Sequence, residues 1–191
     1  MVAKKKVMLK KKKKRWFDIY SPKIFNEVVI GQTAAIDDKK VLGRTVIESV
    51  GKIYRSGSRQ FEKVKLKIVK VSEVKAETQI QEYFLTNTYL SRITRKRLTK
   101  LVDVSTLQTK DNVKVRITGN IFLPGKVDVE KKKQIKKIYK DILVKEVEGS
   151  TFDNLILSVI HKRLQKKVSN EAKKIYPVKN VEIIKIKRLN R

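Results

Sequence analysis

Apolar residues alternate with cations in three stretches of this chain. Val64, Leu66 and Ile68 are separated by Lys63, Lys65 and Lys67. Val113, Val115 and Ile117 are separated by Lys114 and Arg116, and Ile184 and Ile186 by Lys185, with Lys187 following. A period of two sends successive side chains to opposite faces of a strand. Each stretch therefore predicts a strand with one greasy face and one cationic face. Ile68-Val69 and Ile183-Ile184 break the phase and predict bulges or strand ends. Further strands are expected over 45–50, 76–84, 101–107 and 181–189. Ser56-Gly57-Ser58 and Lys110-Asp111-Asn112 read as turns.

Elsewhere the period lengthens. Residues 88–98 place Tyr89, Leu90, Ile93 and Arg97 near one side of a helix. Over 130–147, Ile135, Ile138, Tyr139, Ile142 and Val147 form an apolar stripe, and Gly149 fits its stop. Ser150 and Asp153 resemble a capping box opening a second helix. That helix carries Phe152, Leu155, Ile156, Val159 and Leu164, then Lys162, Arg163, Lys166 and Lys167 in its later part. The helix dipole favours cations there, so some of that bias is local stabilisation. Pro177 closes the helical region. Trp16-Phe17-Asp18-Ile19-Tyr20 starts the folded part. Burial of Trp16 and Phe17 as anchors is the favoured reading, with stacking on nucleobases the competing one.

The organisation expected is a disordered basic N-terminal arm, 1–15, a β-rich core over 16–127 with one inserted helix at about 88–98, and a helical segment over 128–191. The last strand of that segment joins the core. The fold class is α+β.

Composition explains why the outer positions are cationic. The 191 residues hold 48 Lys and Arg against 19 Asp and Glu, a net charge of +29, with 40% hydrophobic residues. That apolar content excludes a wholly disordered basic chain. Self-repulsion on this scale weakens a compact state unless a polyanion screens it, and RNA or DNA is the usual source. No cysteine is present, so disulfides, thiolate metal sites and cysteine nucleophiles are excluded. No apolar run approaches the roughly 18 residues that span a bilayer. Residues 1–15 hold nine cations and only Val7-Met8-Leu9 as an apolar stretch. A secretory signal needs roughly 7–15 apolar residues, and a transit peptide favours Arg and Ser over Lys.

Catalytic constellations are absent. His161 is the only histidine, and it reads as a helix-face residue or an RNA contact. Asp37, Asp38, Asp103, Asp111 and Asp153 lie in separate segments, and a two-metal nuclease needs them clustered. No glycine spacing matches a phosphate-binding loop. No metal and no cofactor is expected, and no enzyme. What remains is cation geometry: Lys as a point charge for phosphate, Arg as a bidentate or stacking group. The candidate RNA-binding residues are Lys11, Lys12, Lys13, Lys14, Arg15 and Trp16 at the arm, with Arg44. On strands they are Lys63, Lys65, Lys67, Lys114, Arg116, Lys185, Lys187 and Arg188. Arg92, Arg95 and Arg97 form the densest arginine cluster, with Lys96 and Lys100 beside it, and Lys110, Lys162 and Arg163 complete the set.

The motifs Trp16-Phe17-Asp18-Ile19, Pro22, Phe25, Ile30-Gly31-Gln32-Thr33 and Gly43-Arg44 follow one another in a familiar order. Residues 92–100, Thr109-Lys110-Asp111 and Ile175-Tyr176-Pro177-Val178 continue it. In this order they resemble the archaeal and eukaryotic small-ribosomal-subunit family called S-three-Ae, or S-one-e, in its short archaeal form. The family pattern has Gly where this chain has Asn112, and another near Glu82. Asn tolerates positive φ, so the turn should survive. The resemblance implies a central, mostly antiparallel β-barrel-like sheet with flanking helices. It implies a non-catalytic rRNA-binding constituent of the small subunit, on the platform near the rRNA 3′ end and the mRNA exit. Its partners would be small-subunit rRNA, platform proteins and mRNA, in the cytoplasm, with no membrane and no small-molecule substrate. The alternatives are an RNA-processing enzyme, which needs converging carboxylates, and a DNA-compacting basic protein.

Overall fold

A computed structural model describes residues 13–189. Its chain divides into two compact units. The first is the described part of Met1–Thr45 with Lys67–Gln79, and the second is Val46–Leu66 with Ile80–Arg191. Strands β3 (Thr45–Ser49), β4 (Glu62–Ser72) and β5 (Lys75–Leu85) run across the division along the chain.

The first unit is built on β1 (Arg15–Tyr20) and β2 (Val29–Ala35), paired antiparallel with a slip at Ile19 and Tyr20. Alternation decides what β1 buries. Phe17 and Ile19 point inward at 0% and 3% exposure, while Trp16 is 64% exposed. The burial expected for Trp16 is therefore corrected: it has the outward phase, and only Phe17 anchors. Ser21 closes the β1–β2 loop, its hydroxyl accepting from the Val28 N–H (2.8 Å) and donating to the Phe25 carbonyl (3.3 Å). β1 also pairs with the start of β5, in parallel.

In the second unit β6 (Leu98–Gln108) and β7 (Lys114–Pro124) form an antiparallel hairpin of eleven residue pairs. Its turn takes Asn112 at φ 57°, so Asn does serve where the family pattern has Gly. β8 (Asn180–Leu189) pairs with β7 and with β5. Thr118 faces Lys185 and Gly119 faces Ile183, which leaves Ile184 as the extra residue of a bulge. The phase break at Ile183-Ile184 is this bulge. Hydrogen-bonded neighbours run β2-β1-β5-β8-β7-β6, with β3 on β4 and β4 on β5. The sheet is large and not closed, which corrects the barrel-like expectation. It is mixed, with β1 and β5 parallel and the β1–β2, β5–β8, β6–β7 and β7–β8 pairs antiparallel, as mostly expected.

The helices are α1 (Val50–Ile53), α2 (Asn87–Ile93), α3 (Val129–Glu148), α4 (Phe152–Ile160) and α5 (Arg163–Lys173). Ile135, Tyr139, Leu143 and Val147, one turn apart, are the buried stripe of α3. Gly119 on β7 is where the Tyr139 phenol comes in, and a Cβ there would collide with it. Three expectations change. Helix α2 stops at Ile93, so Arg95, Lys96 and Arg97 lie beyond it. The cap of α4 is Thr151, not Ser150: its Oγ1 accepts from the Asn154 N–H at 3.3 Å. The single helix expected from Phe152 onward breaks at His161 and Lys162, because Lys162 is left-handed at φ 58°.

Candidate nucleic-acid interface

The register of β6, β7 and β8 assembles a cationic face from residues distant in sequence. Arg116 stands directly opposite Lys187, Thr118 opposite Lys185, and Lys114 opposite Leu189. Lys114, Arg116, Lys185 and Lys187 are exposed, while Val115, Ile117 and Ile186 are buried on the other side. Like charges directly across a sheet destabilise it. Only Lys185 is neutralised in place, by Glu82 at 2.6 Å. Among the described residues, Lys114, Arg116 and Lys187 enter no ion pair. On β6 the residue opposite Arg116 is Thr106, and the same face continues through exposed Val104, Val102 and Lys100. Lys110 is exposed at the hairpin turn. On β4, Lys63, Lys65 and Lys67 are half-buried and alternate with Val64, Leu66 and Ile68, which are at most 1% exposed.

The arginine cluster is a loop, not a helix face. Arg92 is in the last turn of α2, its guanidinium 5.7 Å from the centre of the Phe61 ring. Arg95, Lys96 and Arg97 follow, all exposed. Arg97 takes φ 65°, and its carbonyl accepts from the Gly125 N–H at 3.0 Å.

Breaking the long helix moves Lys162 and Arg163 to the start of α5, where the dipole disfavours cations. Dipole compensation therefore does not explain Arg163, whereas Lys162 also directly follows the C-cap of α4, whose C-terminal dipole favours a cation. Lys162 Nζ lies 3.7 Å from Glu182, and Arg163 is exposed. Arg188 is half-buried, its guanidinium 5.8 Å from the centre of the Phe152 ring. Burial raises the pKa of Asp153, Arg188 opposes this, and Asp111 adds to it.

In the first unit Lys13 and Lys14 are exposed just before β1. Arg15 belongs to β1; it pairs with Asp38 at 3.0 Å and lies 5.7 Å from the centre of the Phe17 ring. Arg44 is committed to β2, donating to Thr33 Oγ1 and to the Ala34 carbonyl. Lys11 and Lys12, with the rest of the arm up to residue 12, lie outside the described residues.

The acids have structural duties. Asp103 pairs with Lys140 at 3.6 Å, and Asp111 Oδ2 accepts from the Phe152 N–H at 3.3 Å, capping α4 from another segment. Asp111 and Asp153 do approach one another, but among the described residues no three potential ligands gather as a metal site. His161 is the exposed C-cap of α4. Among the described residues no helix is long and apolar enough to cross a membrane.

Sequence reasoning missed one group, a cleft of about 280 Å³ with Arg59, Phe61, Glu62, Tyr89 and Lys162 in its lining. Glu62 precedes Val64, Leu66 and Ile68 in the same inward phase, and an acid in an apolar register was the available signal.

A folded core that leaves like charges adjacent on one sheet face and carries further cations on loops and helix starts has a surface suited to a polyanion. The chain belongs to the ribosomal S3Ae family, whose pattern matches residues 2–191. It is 32% identical over 184 residues to "Small ribosomal subunit protein eS1" of Haloarcula marismortui, covering 96% of this chain and 86% of that protein. The protein of the same name from Ignicoccus hospitalis is 33% identical over 178 residues, covering 92% and 84%. That from Sulfolobus acidocaldarius is 32% identical over 179 residues, covering 93% and 91%. The family is one of structural ribosomal proteins and not of enzymes.

Proposed function

We propose that this protein is a structural constituent of the small ribosomal subunit in the cytoplasm, binding rRNA on the platform near the rRNA 3′ end and the mRNA exit. The observation that carries RNA binding is the Arg116–Lys187 pair, held side by side without an acid partner among the described residues. Phosphate oxygens relieve that repulsion, and the released counterions drive association. Recognition is of backbone and shape, because side chains cannot read the deep groove of duplex RNA. Lys13, Lys14 and exposed Trp16 supply charge and a stacking surface at the start of β1. Neighbouring platform proteins and mRNA are the further partners of this reading.

The test is sedimentation of the native protein after a high-salt wash of small subunits. It is expected to remain with the subunit; recovery only as free protein would sink the reading. Equal affinity for duplex DNA and rRNA in the same salt would favour the DNA-compacting alternative.

A further inference from the structure

The cleft beside β4 lies wholly within the second unit and contains a hydrogen bond left unmade. Glu62 opens β4 and is 8% exposed, and its Oε2 has no hydrogen-bond partner. A second acid, Glu182 of β8, is 6% exposed and is satisfied: it accepts from the Tyr89 hydroxyl at 3.0 Å, and Lys162 Nζ lies 3.7 Å away. The charged and titratable groups acting on Glu62 are Arg59, Lys162 and Glu182. Two acids buried close together do not serve folding when one of them lacks a donor. Backbone geometry is committed here as well, since Arg59 and Lys162 are both left-handed, at φ 66° and 58°.

Three features of the cleft restrict its guest. The carboxylate accepts hydrogen bonds, so the guest must donate. The wall carries Phe61 and Tyr89, stacked with ring centres 5.7 Å apart, so the guest should have a flat apolar face. Arg59 and Lys162 line the cleft, and Arg92 lies over Phe61. Those cations attract phosphate and repel a lysine or arginine side chain from another protein. A guest with donors, a flat face and a negative backbone is a nucleotide. Guanine presents two adjacent donors on its Watson–Crick edge, N1–H and the 2-amino group, which match the two oxygens of one carboxylate. Uracil places carbonyls on both sides of its one N–H and meets repulsion. A paired base has its edge occupied, so the guest must be unpaired.

We propose that this cleft takes one unpaired guanine nucleotide of RNA, with Glu62 accepting from the base edge. The proposal rests on the RNA-binding reading above and adds base selectivity to it.

Fluorescence anisotropy tests it with the full chain and labelled single-stranded pentanucleotides: UUUUU, UUGUU, and UUGUU with 1-methylguanosine at the centre. UUGUU is expected to bind roughly tenfold tighter than UUUUU. Methylation at N1 should return the affinity to the UUUUU level without any change to the protein. Glu62→Gln, nearly isosteric and checked by its thermal melt, should lose the guanine preference while keeping UUUUU affinity and its salt dependence. Equal binding of UUGUU and UUUUU by the unaltered protein overturns the proposal, as does a preference surviving in Glu62→Gln. A short arginine peptide bound by the unaltered protein and not by Glu62→Gln would assign the cleft to a protein side chain and overturn it too. Failure of every oligonucleotide to bind at low salt while folded rRNA still binds overturns the cleft proposal alone, and failure of folded rRNA to bind at low salt overturns the RNA-binding reading itself.

Discussion

Gly119 and Tyr139 are a pair in which one residue exists for the other. The phenol is buried with its hydroxyl unpaired, and burial pushes its pKa well up. Gly119→Ala places a methyl where the hydroxyl sits. It should cost about 1–3 kcal/mol in urea unfolding, as overpacking does, and adding Tyr139→Phe should restore part of the loss. Glu62 makes a prediction about pH. Burial raises its folded pKa above the ordinary carboxyl value, with Arg59 and Lys162 opposing and Glu182 adding. Over the window between the two values the folded state holds the proton that the unfolded chain has released, so stability falls as pH rises. Glu62→Gln should therefore match the parent below the ordinary carboxyl range and exceed it near neutrality. Urea midpoints that differ equally at both pH values would contradict this.

At the scale of elements, the strands beyond Gly43 were legible, while β1, β2 and the helix ends were not. Alternation in β4, β7 and β8 identified the buried residues because a two-residue period admits two faces and the apolar one goes inward. Of the two visible irregularities, Ile183-Ile184 became the bulge at Ile184, whereas β4 runs on through Ile68-Val69 to Ser72. Helix boundaries depend on single caps and single backbone conformations. Lys162 at positive φ divides what the apolar pattern reads as one helix, and nothing in a lysine announces that. The cap of α4 likewise shifted by one residue, from Ser150, whose hydroxyl donates to the Glu146 carbonyl, to Thr151. Thr151→Ala should lower stability by about 1 kcal/mol, read from thermal or urea unfolding, as loss of an N-cap does.

For the molecule as a whole, the net charge of +29 is a cost that its partner offsets. Removing two of the opposed cations, as Arg116→Gln with Lys187→Gln, should weaken RNA binding and reduce the log–log salt slope by roughly 1.4–1.8, two phosphates' worth. The same double variant should be as stable as the parent or slightly more so at low salt. An unchanged slope would remove this face from the interface.

Sequence alone determined the α+β class, the strands beyond Gly43 with their inward residues, and the need for a polyanion, because periodicity and net charge are sums over local positions. Strands β1 and β2, which carry no such alternation of apolar residues with cations, were not legible. It also carried the family, through the order of weak motifs. Tertiary structure alone decided that Arg116 meets Lys187, that Trp16 faces outward, that Lys162 and Arg163 begin a helix, and that Glu62 lines a cleft with Tyr89. Register, a strand's phase and a left-handed residue each settle which distant side chains become neighbours. Adjacency of that kind is a property of the folded chain and not of any stretch of it.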